Sequence, residues 1–216
     1  MTERPAGESL EEAYRPRMST LITARLMLRG YEPGDATRVL DIQRRPEVIR
    51  WLGDPPYVPM ARLEEALRWI DDRRQRETRD PLDMTRAIVV RNTGIVAGTV
   101  SVARAYRHNG DFLGEYEVGW HLHPDSVGAG YATEAAQALL DHVFDRGLPE
   151  VWCGMFVGNE PSRRVAERLG LPFIGVRPDP WYEGESRLYR LERSQWRNRR
   201  GPGSPPASGA PADTRN

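Results

Sequence analysis

Hydrophobic positions along the chain follow two spacings. Short apolar runs and alternating apolar positions predict strands at 24–31, 86–91, 95–106, 115–123, 151–156, 173–176 and 187–191. Apolar residues three or four positions apart predict a helix from Asp35, a long helix over 59–79, one over 135–144, and one that Asn159 caps and Gly170 ends. Turn chemistry at Asn92-Thr93-Gly94 predicts a hairpin. The predicted class is therefore mixed α/β with a mostly antiparallel sheet.

The two ends of the chain show neither spacing. Residues 1–20 mix charge with proline and glycine and predict a flexible leader. Residues 201–216 contain four prolines and three glycines and predict disorder. A length of 216 residues suits one well-buried domain. The predicted organisation is a leader over 1–20, one domain over 21–197 and a disordered tail over 198–216.

Charge and cysteine content narrow the classes of function. Lys plus Arg and Asp plus Glu both number 31, so the chain lacks the basic field that attracts nucleic acid. One cysteine, Cys153, excludes an internal disulfide, and the N-terminus does not resemble a secretory signal. The apolar runs are shorter than the roughly 20 residues of a membrane helix. We expect a cytoplasmic protein that binds neither nucleic acid nor membrane; its oligomeric state is not indicated.

A glycine-rich segment carries the most specific chemical signal. The run 127–134 reads Val-Gly-Ala-Gly-Tyr-Ala-Thr-Glu and lies between a predicted strand and a predicted helix. Gly128 and Gly130 let a ligand approach the main chain, and the following helix start favours an anion such as pyrophosphate. The loop lacks the Gly-Lys-Ser/Thr ending of a Walker A motif, and Thr133 stands where a dinucleotide fingerprint needs glycine or alanine. A tight turn whose glycines serve packing is the alternative interpretation.

Two blocks of sequence carry a family resemblance. The first is Glu117-Val118-Gly119-Trp120, Pro124 and 128–135; the second is Asn159-Glu160-Pro161-Ser162 through Glu167-Arg168-Leu169-Gly170. Together they resemble the ribosomal-protein-alanine acetyltransferase branch of the GNAT superfamily. The resemblance extends from Leu21 to about Trp196. It implies a single GNAT-like domain with a splayed, mostly antiparallel central sheet flanked by helices, and acetyl-CoA as co-substrate without a metal.

The resemblance also implies which residues bind the coenzyme. It assigns the pyrophosphate to main-chain amides of the loop and the pantetheine to the end of the preceding strand and to the second block. The implied coenzyme-binding residues are Leu122, His123, Val127, Gly128, Ala129, Gly130, Tyr131, Ala132, Thr133 and Asn159. The family's usual Gln or Arg at the head of the loop falls on Asp125 here, whose charge does not favour phosphate.

Amine acetylation requires a base for the attacking amine and an acid for the departing thiolate. Glu117, on the strand before the loop, is the predicted general base, directly or through a water, and Glu115 on the same face is the alternative. The tyrosine acid of many GNAT enzymes falls on Ala166, so the resemblance points to Ser162 as general acid. For Asn159 and Ser162, purely structural roles at a helix start are the alternative.

The acceptor itself is not specified by these motifs. The predicted function is transfer of an acetyl group to a primary amine, either a protein N-terminus or a small amine, with a non-catalytic CoA-binding regulatory module as the alternative. Trp51, Tyr57, Trp181 and Tyr182 flank turns and could line an acceptor pocket. His121 and His123 share a strand face, but a third ligand with convincing metal spacing is missing.

Overall fold

A computed structural model describes residues 19–53, 58–106, 112–181 and 184–199. The predicted leader, apart from residues 19 and 20, and the predicted tail from residue 200 onward lie outside these ranges. The described strands are β1 Leu21–Ile22, β2 Leu26–Arg29, β3 Met84–Val90, β4 Val96–Tyr106, β5 Phe112–Leu122, β6 Glu150–Phe156, β7 Phe173–Pro178 and β8 Glu185–Glu192. The described helices are α1 Ala36–Gln43, α2 Pro46–Ile49, α3 Leu63–Arg79, α4 Tyr131–Asp145, α5 Glu160–Arg168 and α6 Arg193–Arg199.

The strands form one sheet in the order β1-β2-β3-β4-β5-β6-β8-β7. Neighbouring strands are antiparallel except β5 and β6, which are parallel and share the single register pair Glu117 and Trp152. The prediction of a mixed α/β fold with a mostly antiparallel sheet is confirmed. Because β5 and β6 share only this pair, the sheet opens between these two strands.

Both faces of the sheet are covered by helices. On one face, the apolar side of α4 packs against alternate residues of β2 to β6, including Val100, Val118 and Cys153. On the other face, α1 and α3 cover β3 and β4 through residues such as Val39 and Ile70. Because burial of apolar area is the main driving force for folding, the α4 layer holds β5 and β6 in place, and the α1 and α3 layer holds β3 and β4.

Several boundaries differ from the pattern-based expectations. The long helix begins at Leu63 rather than near 59, because Arg62 is extended and the Glu65 carboxylate accepts hydrogen bonds from the N–H groups of Ala61 and Arg62. The short helix α2 was not predicted, since four residues are too few to establish a helical spacing. The helix α6 was also missed. It runs through the predicted boundary at 197, and the buried Trp196 anchors it by donating a hydrogen bond to Asp141.

Candidate active site

The central opening lies between β5 and β6. The two strands meet at Glu117 and Trp152, where Glu117 Oε1 accepts a hydrogen bond of 3.3 Å from the main-chain N–H of Gly154. Beyond this point, β5 leads into the glycine loop and β6 leads into α5. Because parallel strands present their carboxyl ends at one edge, the loop and the start of α5 border the same V-shaped opening.

The glycine loop adopts the backbone that its sequence predicts. After a 3-10 turn at Pro124–Ser126, Gly128 and Gly130 have φ angles of 89° and 81°, a region that other residues rarely adopt. Residues 131–133 form the first turn of α4, and the side chain of Val127 is exposed. The first N–H groups of a helix lack intrahelical acceptors, so this turn presents donors and a positive dipole end to an anion.

His123 and Leu122 precede the loop but point their side chains into the protein. His123 is 1% exposed; its Nδ1 accepts from the Asp125 N–H at 3.1 Å, and its Nε2 lies 3.1 Å from Asp41 Oδ2 on α1. Burial, together with Arg38 and Arg45, lowers the pKa of His123. Leu122 packs against the core beneath α4. The His123 imidazole therefore holds the Asp125 N–H at the head of the loop, and the main chain of His123 borders the opening.

The carboxyl group of Glu117 is only partly accessible to water. It is partly exposed at the surface of the opening, yet burial raises its pKa to about 7. The negative charge of Asp179 raises the pKa further, while the hydrogen bond from Gly154 acts in the opposite direction. Glu115 lies on the same face of β5 and is also partly buried. A carboxyl group with a pKa near neutrality suits proton transfer at physiological pH.

The second sequence block forms the start of α5. Asn159 is the helix N-cap: its Oδ1 accepts a hydrogen bond of 3.2 Å from the N–H of Ser162. The predicted helix start is thus confirmed. Ser162 is partly buried in the first turn. Ala166 is fully buried in the core beneath α4, and its methyl group has no proton to donate to a leaving thiolate.

Two of the four predicted pocket aromatics lie beside β6. The Trp181 ring comes within 3.1 Å of the position that a Cβ would take at Gly154, and the Trp51 ring within 3.9 Å of that position at Gly158. Tyr57 and Tyr182 lie outside the described residues. The main-chain N–H of Trp181 donates a hydrogen bond to Asp179 Oδ1 at 2.8 Å. Asp179 was missed in the sequence because the segment between β7 and β8 lacks a periodic or motif signal.

His121 occupies the same face of β5 as Glu117. Its Nε2 lies 2.8 Å from the Thr99 hydroxyl and 3.1 Å from the Gln43 side-chain nitrogen. Burial, aided by Arg73, lowers its pKa to about 4, so the imidazole is neutral near pH 7. Within the described ranges, no group of three or more His, Cys, Asp or Glu side chains could hold a metal ion. In the same part of the chain, no helix is both long and apolar enough to cross a membrane.

The same architecture occurs in known proteins. A family model described as acetyltransferase (GNAT) domain matches residues 25–172. The uncharacterised N-acetyltransferase p20 of Bacillus licheniformis is 29% identical over 163 residues, which cover 75% of this chain and 87% of that protein. An acetyltransferase structure from Agrobacterium tumefaciens has a TM-score of 0.64 at 25% identity, with 88% of this chain and 99% of that chain covered. RimL, a ribosomal-protein acetyltransferase solved in complex with coenzyme A, has a TM-score of 0.66 at 19% identity, with 82% and 99% covered.

Proposed function

The chain belongs to the GNAT acetyltransferase family, and from that premise we propose that it transfers an acetyl group from acetyl-CoA directly to a primary amine, with Glu117 as general base and Ser162 as general acid. Membership of the family makes the chain an N-acetyltransferase that uses acetyl-CoA. The acceptor, the direct attack and the roles of individual residues are the proposal. A protein N-terminus and a small amine are both acceptors that this chemistry accommodates.

The coenzyme is proposed to lie along the opening between β5 and β6. Its pyrophosphate would accept hydrogen bonds from main-chain N–H groups of residues 127–133, where the helix dipole of α4 favours negative charge. The pantetheine arm would pass the main chain of Leu122 and His123 and the side chain of Asn159 at the start of α5. This path brings the thioester to the point where the two strands meet, close to Glu117.

The single observation that carries the chemistry is the partly buried carboxyl group of Glu117 at that meeting point, which accepts a hydrogen bond from the Gly154 N–H. The amine lone pair would attack the thioester carbonyl, forming the N–C bond, and the C–S bond would break. Glu117 would accept the proton that the amine loses, and the Ser162 hydroxyl would donate a proton to the departing thiolate. Trp181 beside Gly154 and Trp51 beside Gly158 are proposed to contact the acceptor.

The catalytic roles are tested by acetyl-CoA consumption with a panel of amines. General acid–base groups contribute about 10²- to 10⁴-fold, so Glu117→Gln and Ser162→Ala should each lower turnover by at least about 100-fold while the CoA dissociation constant changes less than about threefold. Glu115→Gln is the matched control for Glu117, since it makes the same change on the same face of β5. Equal losses in the two glutamate variants would contradict the assignment of Glu117.

The coenzyme site is tested by calorimetric titration with CoA. Gly128→Val should weaken CoA at least about tenfold, because valine does not adopt the backbone angles of that position. Gly147→Val is the control: it introduces the same strain, at a φ of 101°, at the opposite end of α4. If the wild-type protein binds CoA but consumes no acetyl-CoA with any amine, the chain is a CoA-binding regulatory module instead.

A further inference from the structure

Arg25 makes several contacts with the glycine loop although it lies more than 100 residues away in the chain. Its Nη1 donates to the main-chain oxygen of Ala129 at 2.8 Å, and its Nε donates to Glu134 Oε2 at 2.7 Å. Its main-chain N–H donates to the other carboxylate oxygen of Glu134 at 3.0 Å. One guanidinium therefore joins the middle of the loop to the first turns of α4.

The contact with Ala129 determines which way the loop amide faces. A trans peptide unit is planar, so the C=O of residue 129 and the N–H of residue 130 point in opposite directions. Because Arg25 holds the Ala129 oxygen on its own side, the Gly130 N–H points away from Arg25. Without that hydrogen bond, rotation of this unit could direct a carbonyl oxygen toward the phosphates, since Gly128 and Gly130 permit many backbone angles.

The ion pair between Arg25 and Glu134 compensates the negative charge of the Glu134 carboxylate, which lies beside the proposed phosphate site. Burial alone would raise the pKa of Glu134, but hydrogen bonds from the Thr23 hydroxyl and from Arg25 hold that pKa below its usual value. Glu134 is therefore ionised at neutral pH, four residues after Gly130. A carboxylate there repels pyrophosphate unless a cation lies beside it, and the Arg25 guanidinium does.

We propose that Arg25 is a positioning residue for coenzyme binding, which orients the 129–130 peptide unit and neutralises Glu134 so that the loop presents donors without net negative charge. This inference rests on the proposed binding of CoA at the loop. It assigns a function to the segment between β1 and β2, which the glycine motif does not include. The proposed role is indirect, because the guanidinium acts through Ala129 and Glu134.

The test is a double-mutant cycle with CoA titrated into the full-length protein. Arg25→Gln should raise the CoA dissociation constant about tenfold, because it leaves the Glu134 charge uncompensated. Glu134→Gln should leave CoA affinity within about twofold or improve it, and the double variant should bind CoA at least about threefold more tightly than Arg25→Gln. Raising NaCl from about 50 mM to about 500 mM should reduce the defect of Arg25→Gln, because salt screens the repulsion.

Arg91→Gln is the matched control, since Arg91 donates to the main-chain oxygens of Thr23 and Ala24 in the same turn. It should change CoA affinity less than about twofold. Arg25→Lys keeps the charge and should retain most of the affinity, which provides a second measurement if Arg25→Gln folds poorly. In the acetyl-transfer assay, Arg25→Gln should raise KM for acetyl-CoA with kcat within about twofold.

Two results would overturn the inference while leaving the proposed function intact. One is an Arg25→Gln variant whose CoA affinity is within twofold of the wild type. The other is a double variant that binds no better than Arg25→Gln, which would mean that Arg25 does not act by neutralising Glu134. A wild-type protein that fails to bind CoA would instead overturn the proposed function, and this inference with it.

Discussion

Replacing Glu117 by glutamine removes an ionisable group from the point where β5 and β6 separate, so it should change how stability depends on pH. Glutamine has nearly the same shape and can still accept the hydrogen bond from the Gly154 N–H. The pKa of Glu117 rises from 4.5 to about 7, mainly because burial disfavours the charged form. Each pKa unit corresponds to about 1.36 kcal/mol, so ionised Glu117 reduces the stability of the folded state by about 3 kcal/mol above pH 7.

The sign of the effect follows from proton binding. Between pH 4.5 and about 7, the folded protein holds a proton on Glu117 that the unfolded chain has already released. The unfolded state then binds fewer protons, so the free energy of unfolding falls as pH rises through this window. Below pH 4.5, Glu117 is protonated in both the folded and the unfolded state, so it no longer destabilises the folded state. Glu117→Gln should therefore be more stable than the wild type at pH 8 and lose that advantage toward pH 4.5.

Urea unfolding of both proteins at several pH values between 5 and 8 measures this difference. We expect the gap in unfolding free energy to widen up to about pH 7 and then to level off near about 3 kcal/mol. Glu115→Gln shows whether the pH dependence belongs to residue 117 or to any glutamate on this face of β5. A gap that stays constant across the range would refute the reasoning, because it would mean that the Glu117 carboxyl is well solvated.

Other perturbations test the packing that surrounds the site. In urea unfolding, Gly98→Ala should lower the free energy of unfolding by at least about 3 kcal/mol, because the new Cβ would lie 2.2 Å from the His121 main-chain oxygen. Gly34 has open space around it, so Gly34→Ala should change that free energy by less than about 1 kcal/mol. Arg86 is fully buried, and its guanidinium nitrogens lie 2.5 and 2.6 Å from the Glu77 carboxylate oxygens. Arg86→Met should lower the free energy of unfolding by about 3 to 5 kcal/mol, because it leaves the Glu77 carboxylate unpaired. Adding Glu77→Leu to Arg86→Met should recover most of this loss, as thermal melting would show.

Local sequence signals were sufficient for much of the fold. The hairpin at 92–94, the backbone of the glycine loop between a strand and a helix, and the Asn159 cap each depend on residues within a few positions of one another, and each was predicted correctly. The contacts of Arg25 with Ala129 and of Glu117 with the main chain of Gly154 join segments that are far apart in sequence. Periodicity cannot predict such contacts, because they depend on which strands become neighbours.

For the candidate site, the sequence indicated chemical groups but not the environment of each group. The motifs indicated Glu117, but not the burial and the nearby Asp179 charge that raise its pKa. They indicated His123 as a residue beside the opening, but not that its imidazole would turn toward Asp41. In both cases the sequence specifies the chemical group, while the tertiary packing around that group decides its protonation and direction.

The single register pair between β5 and β6 also has a consequence for amide hydrogen exchange. Past Glu117 and Trp152, alternate amides of both strands face the opening rather than a neighbouring strand, so they should exchange with solvent faster than amides inside β3 and β4. The sheet then consists of two hydrogen-bonded blocks, β1 to β5 and β6 to β8, that share few main-chain bonds. A molecule seated between the blocks supplies acceptors to both, so occupancy of the opening should slow exchange on its two sides together.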